Sequence, residues 1–325
     1  MSVFVTGATG FIGGHLALAL AHQGEEVVCL VRASSDTSRL RRAGIELVEG
    51  DLLKPESFTD QILNCDTVYH VAGVTKAIET KGYHTGNVVT TLNLLNTLRL
   101  PETNWQRFIY VSSQAAAGPS ISPLFSENHP ASPVSAYGKS KYDAEKLIQE
   151  MIQDDKYTIL RPAIVYGPHD YEMLPLFRAA RAGILPHPGL QDFPVNFIYI
   201  EDLTQALLRT AECLATTGKT YFLHSGQPSS WKIMTNHIKH IVNKKAVILP
   251  IARRVLQAAC CVSGLQGRIA GKPGYLSGDK WLEIKQAGWL CSADSFQQDT
   301  GFSAQWTLET GVVKTAAWYK ENKLL

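Results

Sequence analysis

The sequence predicts an α/β fold, in which a doubly wound parallel sheet is followed by a smaller mixed α/β C-terminal lobe. Short β-rich runs alternate with helical patterns through the first half of the chain, and this alternation is typical of a parallel sheet covered on both faces. After about Arg161, proline and glycine interrupt the alternation. We therefore predict two lobes, residues 1–165 and 166–325, with a chain that can cross between them more than once.

Six strand-like runs in the first half define the predicted sheet. They are residues 3–6, 27–31, 46–49, 67–71, 108–112 and 158–160. The intervening segments FIGGHLALALAHQG and NVVTTLNLLNTLRL have helical patterns. Ligands of such sheets bind beyond the carboxyl ends of the strands, so the residues that follow each run are the first candidates for a site.

Size, charge and cysteine content limit the class of protein. The chain has 325 residues, 45% of them hydrophobic, which is ample for a sizeable core. The net charge of +2 gives no electrostatic argument for binding nucleic acid or an anionic membrane. The six cysteines have no paired spacing and suit free thiols in a reducing compartment. With no signal peptide and no apolar window long enough for a transmembrane helix, we expect a cytoplasmic protein.

A glycine-rich turn follows the first strand. Gly7, Gly10 and Gly13 have the spacing GxxGxxG, and a helical pattern begins near Phe11. Glycine lets the backbone approach a pyrophosphate closely, and the start of a helix favours an anion. The glycine pattern alone fits either a cofactor loop or an ordinary turn. Its place between a strand and a helix favours the cofactor loop.

A second motif, SAYGKSKYDAEKL, places Tyr137 four residues before Lys141. Residues at this spacing share one face of a helix. A phenol, with a reference pKa of about 10, is a poor acid or base at neutral pH unless nearby positive charge favours the phenolate. The pair is therefore either a surface pair on a solvated helix or a proton donor and the cation that activates it.

These motifs together resemble the extended branch of the short-chain dehydrogenase/reductase superfamily, the NAD-dependent epimerase/dehydratase family. TGATGFIG is similar to the cofactor turn of that branch. Further similar motifs follow in the same order along essentially the whole chain: GDL, HVAG, NVVTTLNLL, VSS, YGKSK, RPAIVYGP and FIYIEDL. The resemblance implies a Rossmann-type N-terminal domain that binds a dinucleotide and a C-terminal lobe that binds the substrate.

The resemblance also implies which residues bind the cofactor. Asp51 would accept a hydrogen bond from the adenine amino group, although it could instead cap a helix. Amides near Ile164 and Val165 would meet the nicotinamide carboxamide, although Pro162 could simply end a strand. The full set implied is Gly7, Thr9, Gly10, Phe11, Ile12, Gly13, Arg32, Asp51, Leu52, Ala72, Gly73, Ser112, Tyr137, Lys141, Pro162, Ile164 and Val165.

The choice between NADP and NAD depends on the end of the second strand, CLVRASSD. A preference for NAD usually requires an acidic residue there to bind the ribose 2′-hydroxyl. This chain has Arg32, whose guanidinium suits a 2′-phosphate. Arg32 could also lie over the adenine as a surface residue, and Asp36 follows shortly after. We favour NADP over NAD.

By the same resemblance, the catalytic residues are Ser113, Tyr137 and Lys141. Ser113 would orient the substrate carbonyl, Tyr137 would transfer the proton, and Lys141 would also hold the nicotinamide ribose. Ser112 would lie beside the cofactor, and Asn87 would begin a helix that supports the cluster. No metal site is expected, because His237 and His240 lack an acidic or thiol partner and read as a solvated helix face.

The substrate is less well defined by the sequence. Nucleotide-sugar epimerases commonly carry an arginine just before the segment matching FIYIEDL, where this chain has Val195 and Asn196; Arg178 or Arg181 could substitute. The segment GKTYFLHSGQPSSWKIM is closer to the hydroxysteroid-dehydrogenase-like and dihydroflavonol-reductase-like members, which act on lipophilic or aromatic alcohols and ketones.

Three functions therefore remain open from the sequence. They are an NADP-dependent carbonyl reductase or alcohol dehydrogenase, a nucleotide-sugar epimerase or dehydratase, and a non-catalytic dinucleotide sensor. The resemblance also implies a homodimer formed through NVVTTLNLLNTL and SAYGKSKYDAEKLIQEM. The apolar helical segment that contains Cys260 and Cys261 fits core packing by default; the alternatives are a lid over a lipophilic substrate and a surface that touches membrane.

Overall fold

The structure is a computed structural model that describes residues 1–153, 155–189, 191–226, 229–274 and 276–325. The strands of these residues are β1 (Ser2–Thr6), β2 (Glu26–Val31), β3 (Glu46–Glu49), β4 (Thr67–His70), β5 (Arg107–Val111), β6 (Tyr157–Pro162), β7 (Ile164–Tyr166), β8 (Ile184–Pro188), β9 (Pro194–Val195), β10 (Phe197–Tyr199), β11 (Lys219–Leu223), β12 (Ser229–Ser230) and β13 (Val247–Ile251).

Helices cover both faces of the main sheet and fill the C-terminal lobe. They are α1 (Phe11–His22), α2 (Ser38–Arg42), α3 (Thr59–Ile62), α4 (Thr80–Tyr83), α5 (Thr90–Leu98), α6 (Gln114–Ala117), α7 (Ala136–Met151), α8 (Leu174–Arg181), α9 (Ile200–Glu212), α10 (Trp231–Val242), α11 (Arg253–Ala270), α12 (Gly278–Ile284), α13 (Asp294–Thr300) and α14 (Leu308–Glu321). Short 3-10 segments span Pro55–Ser57 and Leu214–Thr216.

The main sheet has seven parallel strands in the order β11-β6-β5-β4-β1-β2-β3. The six strands predicted from the first half are confirmed, with ends that differ by one or two residues. The seventh strand, β11, comes from the second half of the chain and pairs with β6. The chain therefore returns to the first sheet after leaving it, while the boundary at residue 165 stays a prediction.

The strand β5 shows why the sheet lies at the centre. Ile109 and Val111 pack into the core that α1 and α9 form on one face. Phe108 and Tyr110 pack into the core with α5 and α7 on the other. Because successive side chains of a strand point to opposite faces, the four consecutive apolar residues of β5 are buried on both sides of the sheet.

The C-terminal lobe is built from three two-stranded ladders and the helices around them. The ladders β7–β10 and β8–β13 are parallel, and β9–β12 is antiparallel. Its core is aromatic and includes Tyr166, Phe177, Tyr199 and Tyr319. Among the described residues, no helix combines the length and the apolar run that a membrane crossing requires.

One helical prediction is wrong. Asn87 does not begin a helix, because α4 starts at Thr80 and continues through a π-helical segment, His84–Val89, into α5. Asn87 lies inside that π-helical segment and is buried. Such segments are rare and concentrate at functional sites.

Candidate active site

The glycine turn between β1 and α1 is shaped by close backbone contacts. A Cβ atom on Gly13 would lie 2.2 Å from the carbonyl oxygen of Gly7. Gly7 has a φ of +75°, and a Cβ there would lie 2.6 Å from the amide nitrogen of Ala72. Gly10 is the residue before α1 and has no side chain to cap its first amides. The turn thus fits a dinucleotide pyrophosphate, as the sequence predicted.

Other predicted cofactor residues lie around this turn. Thr9 and Gly10 are exposed, whereas Phe11 and Ile12 are half-buried at the start of α1. Ala72 lies just beyond the end of β4, and its amide donates to the Thr6 hydroxyl at 3.3 Å. These positions lie at the carboxyl end of the sheet, where ligands of this architecture bind.

Gly73 connects the cofactor end to the catalytic end. A Cβ atom on Gly73 would lie 3.1 Å from Oδ1 of Asn87 and 3.6 Å from Nζ of Lys141. Any larger residue would therefore fill the surface beside the lysine. Because Gly73 has no side chain, the nicotinamide ring that the resemblance places beside Lys141 would have room there.

The predicted adenosine end contains Arg32, Asp51 and Leu52. Arg32 is exposed directly after β2, where a phosphate could be reached. Asp51 is half-buried, and its Oδ1 accepts a hydrogen bond from the Leu53 amide at 2.9 Å. This is a local turn and not the helix cap that the sequence left open, and the adenine role stays a prediction. Leu52 is buried.

The predicted nicotinamide end contains Pro162, Ile164 and Val165. Pro162 is the last residue of β6, and Ile164 and Val165 belong to β7. The amide of Ile164 donates to the carbonyl oxygen of Asn196 at 3.3 Å. Strand pairing with β10 therefore already uses one of the amides that the resemblance assigned to the nicotinamide carboxamide.

Ser113 and Tyr137 meet at the carboxyl end of β5. Ser113 precedes α6, and its hydroxyl accepts from the Ala115 amide at 3.2 Å. Its side chain is close enough to Tyr137 to affect the pKa of the phenol. Burial raises the pKa of Tyr137 to about 12; the nearby Ser113 lowers it, and Glu283 and Tyr83 raise it. At neutral pH the protein alone therefore keeps Tyr137 as a protonated phenol.

Lys141 lies one turn further along α7 and is buried. Its Nζ donates to the carbonyl oxygen of Val111 at 2.7 Å and lies 4.1 Å from the centre of the Tyr110 ring. Burial lowers the pKa of Lys141 to about 7, although the nearby Glu145 raises it. The sequence argument expected the lysine to lower the pKa of Tyr137; in the protein alone, burial of the phenol outweighs any such effect.

Ser112 and Glu145 belong to a buried hydrogen-bond network beside the cluster. The Ser112 hydroxyl donates to Glu145, which forms hydrogen bonds of 3.0 and 2.6 Å with Arg161. All three side chains are buried. The Ser112 side chain is thus engaged by a buried ion pair that joins α7 to β6, and any contact with the cofactor would come from its backbone.

Asn87 supports the cluster from the π-helical segment. Its Oδ1 accepts from the Val74 amide at 2.6 Å, and its Nδ2 donates to the Ser140 hydroxyl at 2.8 Å. It therefore ties the loop after Gly73 to the helix of Tyr137. The supporting role that the resemblance implied has a structural basis, although Asn87 is not at a helix start.

Two carboxylates that the sequence did not single out hold the start of α7. Asp279 accepts from the amides of Ala136 at 2.6 Å and Tyr137 at 3.2 Å. Glu283 accepts from the Ser135 hydroxyl at 2.7 Å. Both belong to α12 in the C-terminal lobe. The segment SGDKWLEI signals a helix start after Ser277, but nothing in it indicates a partner more than 140 residues earlier.

A cavity of about 470 Å³ lies near the start of α7, although Tyr137 itself is not among the described residues that line it. Its wall includes Tyr83, whose ring centre is 6.1 Å from that of Tyr137. The remaining walls come from residues 77–80, from α11 and from Pro273, Gly274, Ser277, Gly278, Asp279 and Leu282. Cys260 is buried and Cys261 exposed, and both line this cavity. Core packing, the default interpretation, therefore describes Cys260 only, and the lid interpretation fits α11 better.

His237 is half-buried and His240 is exposed on α10. Among the described residues, no group of three or more histidine, cysteine or carboxylate side chains is arranged to hold a metal ion.

Comparison with known proteins agrees with this architecture. The pattern of the NAD dependent epimerase/dehydratase family matches residues 3–222. A ceramide reductase of Caulobacter vibrioides is 27% identical over 98% of this chain and 94% of its own length. A putative dihydroflavonol 4-reductase of Synechocystis sp. is 33% identical over 68% of this chain and 66% of its own length.

A solved structure has the same fold. UDP-glucuronic acid 4-epimerase from Bacillus cereus, in complex with UDP-glucuronic acid and NAD, superposes with a TM-score of 0.79. The superposition covers 99% of this chain and all of that one, at 20% sequence identity.

The fold and the family match identify an NAD(P)-dependent enzyme of the extended short-chain dehydrogenase/reductase type. The chain belongs to the NAD-dependent epimerase/dehydratase family. The predicted resemblance and fold class are confirmed.

Proposed function

We propose that this protein is an NADPH-dependent reductase of a ketone in a lipophilic or aromatic substrate. The observation that carries the proposal is Tyr137, a protonated phenol near Ser113 whose ring centre is 6.1 Å from that of Tyr83 in the wall of a cavity. A protonated phenol is ready to give its proton to a carbonyl oxygen, which is the direction that reduction requires.

The side chains divide the reaction as follows. A bound nicotinamide supplies the hydride. Ser113 donates a hydrogen bond to the carbonyl oxygen, where negative charge develops. Tyr137 transfers its phenolic proton to that oxygen, so the phenol O–H bond breaks as the alcohol O–H bond forms. Lys141, one turn along α7, favours the resulting phenolate in its protonated form.

The cavity supports a substrate with substantial apolar surface. Its lining includes Ile78, Tyr83, Leu265 and Leu282 together with the charged Glu79, Arg268 and Asp279. A volume of about 470 Å³ is typical of small-molecule sites. Both named curated relatives, the ceramide reductase and the putative dihydroflavonol reductase, carry names of lipophilic or aromatic substrates. These names support the same class of substrate for this chain.

Two buried residues argue against the nucleotide-sugar alternative. Val195 and Asn196 occupy the place where such epimerases commonly have an arginine, and both are buried. Oδ1 of Asn196 accepts from the Cys291 amide at 2.9 Å. Arg178, a possible substitute from the sequence, donates to the carbonyl oxygen of Leu324 at 2.9 Å. Positions 195 and 196 therefore present no cation to a diphosphate, whereas Arg178 and Arg181 are both exposed on α8.

The preference for NADP, the homodimer and the cytoplasmic location remain proposals. Arg32 supports the first, because it is exposed just beyond β2. The two segments assigned to the dimer contact form α5 and α7, which pack side by side.

The test is Tyr137→Phe, assayed by NADPH oxidation with a panel of long-chain and aryl ketones. We expect turnover to fall by about 10²- to 10⁴-fold while the Kd for NADPH stays unchanged, because only the proton donor is removed. Tyr142→Phe, on the same helix and half-buried, is the matched control and should keep normal turnover.

Near-normal turnover of Tyr137→Phe would show that another group donates the proton. A wild-type protein that purifies with tightly held NAD(H) and reduces none of the ketones would instead favour the epimerase or dehydratase alternative.

A further inference from the structure

The helix α11 presents an apolar face to the outside of the molecule. Only Leu256, Cys260 and Gly267 of its 18 residues are buried. On the opposite side, four apolar side chains are exposed; they are Val255 (60%), Val262 (55%), Leu265 (59%) and Ile269 (80%). Their spacings of seven, three and four residues place them on one helical face. A contiguous exposed apolar surface of this kind marks an interaction site.

The segment that carries this face is basic, although two carboxylates, Glu79 and Asp279, line the adjoining cavity. Residues 243–278, which contain α11, have six basic and no acidic side chains. The basic ones are Lys244, Lys245, Arg253, Arg254, Arg268 and Lys272. Since the whole chain has a net charge of +2, the rest of the chain carries −4. This local excess is not visible in the small net charge of the whole chain. The excess removes the argument, made from the net charge, against binding to an anionic surface.

The apolar face adjoins the cavity near Tyr137. Leu265 belongs to the exposed face and also lines the cavity. Cys261, which is exposed as well, also lines the cavity. Arg268 lines the cavity as well. The rim of the cavity and the apolar face of α11 are therefore parts of one surface.

We propose that α11 lies on an anionic phospholipid bilayer, with Val255, Val262, Leu265 and Ile269 in the boundary between headgroups and acyl chains. A helix with an apolar face and flanking cations binds membranes in this way, through buried apolar area and attraction to anionic lipids. The cavity then opens towards the bilayer. That route for a lipophilic substrate rests on the proposed function, whereas binding to the bilayer does not.

Charge argues for a bilayer rather than a second copy of the chain as the occupant. A two-fold contact would place the same surface on both sides. The cations around the face of one copy would then meet those of the other, and like charges that face each other across an interface are unfavourable. An anionic lipid surface satisfies both the apolar face and its charge.

The test is flotation of the full-length protein with vesicles of phosphatidylcholine alone or with one third phosphatidylglycerol. We expect binding to the phosphatidylglycerol vesicles, much weaker binding to phosphatidylcholine, and release at high salt, because screening weakens the attraction. The double variant Val262→Ser/Ile269→Ser should lose most of the bound fraction. Neither Val262 nor Ile269 is among the described residues that line the cavity. The double variant should therefore turn over a water-soluble ketone as fast as the wild type does.

The control removes equally exposed apolar side chains elsewhere. Leu124 and Leu214 are 74% and 75% exposed, and Leu124→Ser/Leu214→Ser should float like the wild type. The proposal is overturned if the wild type binds neither vesicle, or if both double variants lose the same fraction. It is also overturned if Val262→Ser/Ile269→Ser converts a dimer to a monomer in sedimentation without any vesicle binding by the wild type. Because binding is read without catalysis, a failed reductase assay leaves this test intact.

Discussion

The cofactor turn and the start of the catalytic helix are two helix N-termini held in opposite ways. At the turn, Gly13 contacts Gly7 across six residues of chain, and backbone atoms alone make the fit. At the start of α7, Asp279 and Glu283 of the C-terminal lobe hold Ala136, Tyr137 and Ser135 from more than 140 residues away. The cofactor end is thus a local property of the chain. The catalytic end depends on how the C-terminal lobe docks onto the first sheet.

The largest effect is expected from the buried ion pair below the catalytic helix. Glu145→Gln removes the charge that compensates Arg161, and breaking such a pair typically costs about 3–5 kcal/mol of the free energy of unfolding. Urea unfolding of the variant and the wild type measures this difference in the free energy of unfolding. Glu150→Gln, exposed on the same helix, should change stability by less than about 0.5 kcal/mol. Equal small losses from both variants would show that the catalytic end does not depend on this pair.

The local character of the cofactor end is tested by Gly13→Ala. The new Cβ would lie 2.2 Å from the Gly7 carbonyl oxygen, and overpacking of this kind costs about 1–3 kcal/mol. The free energy of unfolding should fall, and NADPH should bind more weakly because the turn is displaced. Gly264→Ala is the control: its Cβ would have no neighbour nearer than 3.9 Å, and alanine stabilises a helix interior by about 0.5–1 kcal/mol. A loss of stability in both variants would contradict the steric argument.

The far end of the cofactor surface is tested by Arg32→Ala. We expect the Kd for NADPH to rise about tenfold while that for NADH changes little, because only NADPH carries the 2′-phosphate. Titration of the protein with each nucleotide measures the two constants. Arg42→Ala, exposed on α2, should leave both unchanged. Equal weakening of NADPH and NADH by Arg32→Ala would remove the basis for the NADP preference.

The smallest effect should come from Glu283→Gln, which tests the long-range contact between α12 and the start of α7. Glu283 raises the pKa of Tyr137, because its negative charge disfavours the phenolate. Glutamine keeps an oxygen for the Ser135 hydroxyl but removes the charge, so the pKa of Tyr137 should fall. The alkaline limb of the profile of kcat/KM for ketone reduction against pH should therefore move to lower pH. No movement, with turnover preserved, would show that Glu283 only positions the helix; Glu150→Gln again serves as control.

Much of the fold and part of the site could be predicted from the sequence. The alternation of runs and helices predicted six strands of the main sheet, because a parallel strand buried on both faces reads as a continuous apolar run. The seventh strand, β11, was missed because its partner β6 lies some 60 residues earlier. Asn87 was expected to begin a helix, but its amide group bridges Val74 and Ser140, which only the folded chain brings together.

The sequence by itself determined the cofactor turn, the helix that carries Tyr137 and Lys141, and the serine at the end of β5. These features depend on glycine geometry, helical spacing and strand ends, which are local. Only the tertiary structure decided the protonation state of Tyr137, the contacts of Asp279 and Glu283 with the start of α7, and the exposure of the apolar face of α11. Each of these depends on burial and on charges from distant segments. Burial and distant charges cannot be read from neighbours along the chain.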